Sequence, residues 1–243
     1  MEPKIDLRQL KLDARSCMAG RNPSVYLVTL VYLAILYVLG ALTTRLMYPG
    51  IDFGALSSLS RLTEEQAMEF SAQLLNNRPG FIAQLLDIAI EVMGLMLGVG
   101  FVSYALRVSR GQEAGFAELF DAFGNFLRLL LLEVLIGLFV FLWSLLLVVP
   151  GLIAAYRYSM AVYIMLDNPD KGPLDCLRES KELMRGRKGE LFLLDLSFLV
   201  WYLLSLIPFV SVFVRPYTQV TRANFYRAVS GRWEEPPHID IEI

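Results

Sequence analysis

The chain has 243 residues, of which 56% are hydrophobic and 19% charged, with a formal net charge of −2. Soluble domains are nearer about 45–50% apolar and about 25% charged, so the excess argues against a soluble globular protein. Basic residues sit beside apolar runs rather than in a stripe with stacking aromatics, which argues against a nucleic-acid partner.

In chain order, the N-terminal stretch carries Lys4, Arg8, Lys11, Arg15 and Arg21 and reads as a cytoplasmic amphipathic segment over 1–24. Asn22 to Thr44 follows without a single charge for 23 residues, and Val134 to Tyr156 repeats that length. A hydrocarbon layer of about 30 Å needs about 20 mostly apolar helical residues, so both runs are long enough to cross. The first is too long for the apolar core of a cleaved signal and has no small-residue cleavage site after it.

Six apolar segments are expected, at about 25–46, 81–106, 129–149, 152–166, 191–207 and 209–229. Basic residues set the expected orientation. The loops over 107–128 and 167–189 are both rich in Arg and Lys, which places both inside and requires two crossings between them. Pro150-Gly151 is the expected turn of that hairpin, and Pro208 that of the next. The sixth segment is the least apolar and also suits an interfacial helix. The external loop, 47–80, contains an amphipathic stretch from Thr63 to Leu75, with Thr63 as N-cap and Gln66 at the capping-box position. The acidic tail, 230–243, is expected to be disordered.

The spacing Trp143, Pro150, Arg157 recurs 58 residues later as Trp201, Pro208, Arg215. Amphipathic stretches that end near a glycine precede the apolar pairs, at 10–20, 116–124 and 173–186. The pattern predicts three copies of one unit, a cytoplasmic surface helix followed by a hairpin.

FLWSLLLVVPGLIAAYRYSMAVYIMLDNPD, then ESKELMRGRKGELFLLDLSFLVWYLLS and VRPYTQVTRANFY, resemble a bacterial family of integral membrane proteins known as domain of unknown function 975. The resemblance covers roughly 115–226. A looser likeness runs to the membrane domain of some glycerophosphodiester phosphodiesterases, without their chemistry. The resemblance implies an all-helical fold in the bacterial cytoplasmic membrane and no activity.

Charges inside apolar segments are the candidate functional residues. Asp87 and Glu91, four apart on one helix face, and Arg157 and Arg215, each seven residues past a turn proline, are expected to meet in one outer-leaflet layer. Intramembrane charges face protein or water and pair with one another. Such a layer forms either a structural ion-pair network or a polar cavity for a charged peptide, a lipid headgroup or a proton. Glu133 and Asp195 lie near cytoplasmic ends, where they reach the interface or pair with Arg128 and Lys188. The basic residues Arg178, Lys181, Arg185, Arg187 and Lys188 are candidate lipid-headgroup contacts, each worth about 1 kcal/mol near an anionic surface. Asp167-Asn168-Pro169-Asp170 reads as a helix stop; it lacks the glycine and distal glutamate of a calcium loop.

No nucleophile motif, HExxH or phosphate-cradling loop is present in the sequence, Cys17 and Cys176 form no CxxC pair, and the single histidine, His238, lies in the tail. The expectation is therefore an all-α, polytopic transmembrane helical bundle of about six helices in three hairpins, with both termini cytoplasmic and no cofactor or metal. A non-catalytic accessory or binding protein is expected, with membrane lipids as partners and another membrane protein or an exported peptide as further candidates. A small transporter or channel using the four charges is the alternative.

Overall fold

The computed structural model describes residues 5–48, 63–76, 79–205 and 207–231. The acidic tail and most of the external loop lie outside these. The described residues are all-α, with no strand.

Helix α1 spans Leu7–Met18, and its N-cap Asp6 accepts the Arg8 and Gln9 amides at 2.8 and 3.2 Å. Gly20 ends that segment in the left-handed region, at φ +66°, which costs a glycine little. Helix α2 is Val25–Met47, α3 is Glu64–Asn76 and α4 is Phe81–Ser109. The stretch expected over 63–75 is thus helical, and the Ala67 amide bonds the Thr63 carbonyl at 3.0 Å. A 3₁₀ helix, Ala117–Asn125, leads into α5, Phe126–Leu146. Next come α6, Val148–Tyr158, α7, Ala161–Asp167, and α8, Pro173–Leu183. Helices α9, Lys188–Ser197, and α10, Leu199–Leu204, precede α11, Pro208–Val229.

Four stretches are long and apolar enough to cross a membrane: Val25–Met47, Phe81–Ser109, Ala117–Leu146 and Val148–Asp167. The fifth and sixth apolar segments are not among them. The fifth is broken at Phe198 into α9 and α10, and α11 is too polar along its second half.

The first hairpin turns at Leu147 rather than at Pro150-Gly151: Leu147 is extended (φ −167°, ψ 154°) and α6 already starts at Val148. Pro150 sits in the first turn of α6, where its missing N–H has no intrahelical acceptor to lose. Gly151 is required for another reason, because a Cβ there would lie 2.0 Å from the Ser144 hydroxyl. Pro208 likewise opens α11 instead of interrupting a helix.

The chain divides into two compact units, Met1–Leu33 with Met96–Ile243, and Ala34–Leu95. The core of the larger is built from Leu129, Leu132, Ile164, Met184, Leu194 and Phe225, all at 2% exposure or less. Each such side chain contributes about 1.5–3 kcal/mol when fully removed from water. Helix α8 adds Cys176, Leu177 and Ser180 from its buried face, so it is part of the bundle rather than a helix lying on it. Helix α1 packs against α11 through Leu10, whose carbonyl accepts the buried Asn224 amide at 3.2 Å.

Candidate functional site

The four charges expected to form one layer are distributed over both compact units. Asp87 and Glu91 belong to the smaller unit, Arg157 and Arg215 to the larger. Asp87 is half-buried, and its Oδ1 has no hydrogen-bond partner among the described residues. Glu91 is exposed and lines a groove of 440 Å³ with Leu36, Leu39, Gly40, Thr43 and Gly94. Within the larger unit, the two arginines take different neighbours. The Arg157 guanidinium lies 5.8 Å from the Trp143 ring centre, and Arg215 shares a cavity with the Tyr32 hydroxyl.

Arg215 opens onto a cavity of 260 Å³ lined by Tyr32, Phe101, Tyr202, Ser205, Thr218, Gln219 and Arg222. Tyr32 stacks on Phe101 at 4.5 Å between ring centres, which orients its hydroxyl. The two guanidiniums in this cavity differ. Arg222 is neutralised by Asp195 through two bonds, Nε to Oδ1 at 3.0 Å and Nη2 to Oδ2 at 2.8 Å. Tyr156 adds its hydroxyl to Asp195 Oδ2 at 3.1 Å. Arg215 forms no ion pair among the described residues, so the cavity holds one uncompensated positive charge, surrounded by hydroxyl and amide groups.

Asp195 was expected to reach the interface or pair with Lys188; the structure gives it Arg222 instead. A seven-residue separation along one helix would leave Asp195 and Lys188 about 10 Å apart, whereas α11 runs alongside and presents a planar fork. Arg128 is likewise not a partner of Glu133: it bonds the Pro169 carbonyl at 2.5 Å and lies 3.9 Å from Asp170. Asp167, read as a helix stop, does end α7, but it also accepts Arg110 at 2.6 and 2.8 Å and the Tyr226 hydroxyl at 2.8 Å. These pairs join residues far apart in sequence, and no local spacing announces them.

The candidate headgroup contacts separate into two groups. Arg178 and Arg185 are 78% and 84% exposed in their side chains, and Lys181 is exposed too. Arg178 and Arg185 are each matched to an acid on their own helical stretch, Asp175 at 3.2 Å and Glu182 at 3.9 Å. Arg187 is 15% exposed and lies 3.6 Å from Glu190, and Lys188 is half-buried, so both belong to the packing of the α8–α9 junction.

Both thiols are buried, Cys17 in α1 and Cys176 in α8, and burial pushes each above its ordinary value. The Lys11 ammonium, 4.5 Å from the Phe198 ring centre, is pulled below its ordinary value, first by burial and then by Arg15. Among the described residues no group of three or more His, Cys, Asp or Glu has the geometry to hold a metal ion.

Residues 145–233 match the family model described as "Protein of unknown function (DUF975)". The match contains the DNPD, SKELMRGRKGELF and PYTQVTRANFY strings. It begins about 30 residues later than the resemblance read from the sequence. No curated protein and no solved structure matches the chain.

Proposed function

We propose that this chain is a non-catalytic binding protein of the bacterial cytoplasmic membrane, and that its ligand is an anionic lipid headgroup held by Arg215. One observation carries this reading: an uncompensated guanidinium in a small cavity whose other polar groups are hydroxyls, an amide and the Arg222 guanidinium that Asp195 neutralises. A planar guanidinium binds phosphate or carboxylate through paired hydrogen bonds, and the Tyr202 hydroxyl and the Gln219 amide line the same cavity as further donors; the Ser205 and Thr218 hydroxyls donate to the Tyr202 and Arg215 carbonyls. Arg222 contributes little net charge, because Asp195 already neutralises it. No nucleophile beside a base lines the cavity, which supports binding rather than turnover. Both termini on the cytoplasmic side, with Arg- and Lys-rich loops beside them, are part of the same reading.

The test is thermal stability in detergent, with a short-chain phosphatidylglycerol compared against a short-chain phosphatidylcholine. A midpoint raised only by the anionic lipid, and by Arg178→Gln as much as by the parent but not by Arg215→Gln, supports the reading. Equal responses to the two lipids would sink it.

A small transporter is the second reading, favoured by the partnerless carboxylate oxygen of Asp87. It requires ion or solute flux in proteoliposomes that Asp87→Asn abolishes.

A further inference from the structure

The two hairpins of the larger unit, α5–α6 and α9–α11, are short when measured from the charged helices packed beside them. Helix α8 provides the first gauge. Its Ser180 hydroxyl donates to the Arg157 carbonyl at 2.9 Å and accepts the Met160 amide at 3.2 Å. Helix α8 packs along α7, and Lys171, two residues before α8, reaches Glu179 beside Ser180 at 2.5 Å. Helix α8 therefore runs back along α7 to the level of 157–160. Its outer face carries Asp175, Arg178, Glu182 and Arg185, all at least 63% exposed in their side chains. Those charges need water or headgroups, so the hydrocarbon begins no nearer than Arg157 and Met160. From there to the turn at Leu147 is 10–13 residues, about 15–20 Å of helix. The other arm agrees: Tyr158 meets Phe139 at 5.8 Å, seven residues from the end of α5.

Helix α1 gauges the second hairpin. Lys11 lies over the Phe198 ring at 4.5 Å and Arg15 over the Tyr217 ring at 5.3 Å. The turn between α10 and α11 lies seven to nine residues beyond these rings, about 10–14 Å. The hydrocarbon of a bilayer is about 30 Å thick. Neither hairpin reaches through it.

The turns themselves carry exposed apolar side chains, as do the outer faces of α5 and α9. At the first turn, Leu145, Leu146, Leu147, Val148 and Val149 are consecutive and 64–74% exposed. At the second, Leu203, Ile207 and Phe209 are 61%, 54% and 82% exposed. A turn emerging into water on the far side would expose this whole apolar surface, at about 25 cal/mol per Å². Tyr156, Tyr158 and Tyr217 lie at the bases, with Tyr156 tied to Asp195 across the two hairpins, while Trp143, Trp201 and Tyr202 lie within four residues of the turns. Arg157 and Arg215 lie at the bases too.

We infer that both hairpins are inserted into a single leaflet, with Leu147 at the first turn and Ser205 and Ile207 at the second inside the hydrocarbon, and neither crossing the membrane. The partner of this apolar surface is lipid acyl chain. Among the described residues, α2 and α4 then remain as the membrane crossings. The inference does not depend on an anion at Arg215.

The experiment is nitroxide labelling of Leu147→Cys and Phe209→Cys in proteoliposomes, with Arg185→Cys as the aqueous reference. The native cysteines stay in place because both are buried. Oxygen, which dissolves in acyl chains, should collide with both turn labels, while a nickel chelate added on both sides should not reach them; Arg185 should show the opposite. The oxygen–nickel contrast should be near its maximum, as it is at the bilayer centre. Labels reached by the nickel chelate, or a contrast typical of the opposite headgroup layer, would overturn the inference. Leu145→Cys, one helical step before the turn, repeats the measurement if either turn variant is poorly folded.

Discussion

Ser180 holds together the break between α6 and α7: its hydroxyl donates to the Arg157 carbonyl at 2.9 Å and accepts the Met160 amide at 3.2 Å. Helix α6 ends and α7 begins here, and a side chain from α8 supplies the acceptor for the Met160 amide. Ser180→Ala should cost about 1–3 kcal/mol, because a buried amide loses its acceptor. The midpoint of unfolding in detergent checks this, with Ser197→Ala, an exposed hydroxyl bonded within its own helix, expected to change little.

The Asp195–Arg222 pair is bidentate, with side chains 13% and 39% exposed. Asp195→Asn and Arg222→Gln should therefore couple by about 1 kcal/mol or more in a double-mutant cycle, after discounting for the partial exposure of the arginine. The Asp175–Arg178 pair, 63% and 78% exposed, should couple by less than about 0.5 kcal/mol. Equal coupling in the two cycles would refute the distinction.

Glycine substitutions should divide sharply. A Cβ at Gly100 would sit 1.9 Å from the Leu119 carbonyl oxygen, where the 3₁₀ helix crosses α4. Backbone cannot rotate away, so Gly100→Ala should destabilise by about 2 kcal/mol or more. Gly137, in the interior of α5, has nothing within 4 Å of its would-be Cβ. Gly137→Ala should therefore stabilise by about 0.5–1 kcal/mol, from the lower entropy of the unfolded chain. Thermal melts of the two variants decide it.

Cys176 and Cys17 are 0% and 4% exposed, with thiols raised by burial. Both should resist a maleimide until the protein unfolds, and labelling should then follow unfolding. The raised folded-state values also set a sign. The unfolded chain releases these protons first, so the thiols' share of stability is present below their ordinary range, near 9.0. It is lost as pH rises through and above that range. Denaturation midpoints that fall above pH 9 for the parent, and fall less for Cys17→Ala/Cys176→Ala, are the expected result.

The helical segments were legible because their signals are local. The charge-free runs, Thr63 at a helix start, and Pro173 at the head of α8 act within a turn or two of where they stand. The break of the fifth segment at Phe198 was not legible: the residues around it, LSFLVW, are apolar apart from Ser197, and what marks the site is Lys11 arriving from α1 over the Phe198 ring. Nor was the turn at Leu147, since proline suggests a turn wherever it stands, and only the packing of Gly151 on Ser144 placed this one inside a helix.

Composition and periodicity by themselves determined that this chain is all-α, that it holds helices long and apolar enough to cross a membrane, and which charges are out of place in them. Those properties are sums over neighbouring residues. Tertiary structure alone decided which charges are neutralised: Asp195 by Arg222, Asp167 by Arg110, and Arg215 by no carboxylate among the described residues. Pairing depends on which helices lie side by side, and a guanidinium reaches across helices as readily as along one, so the linear distance between partners carries no information about it.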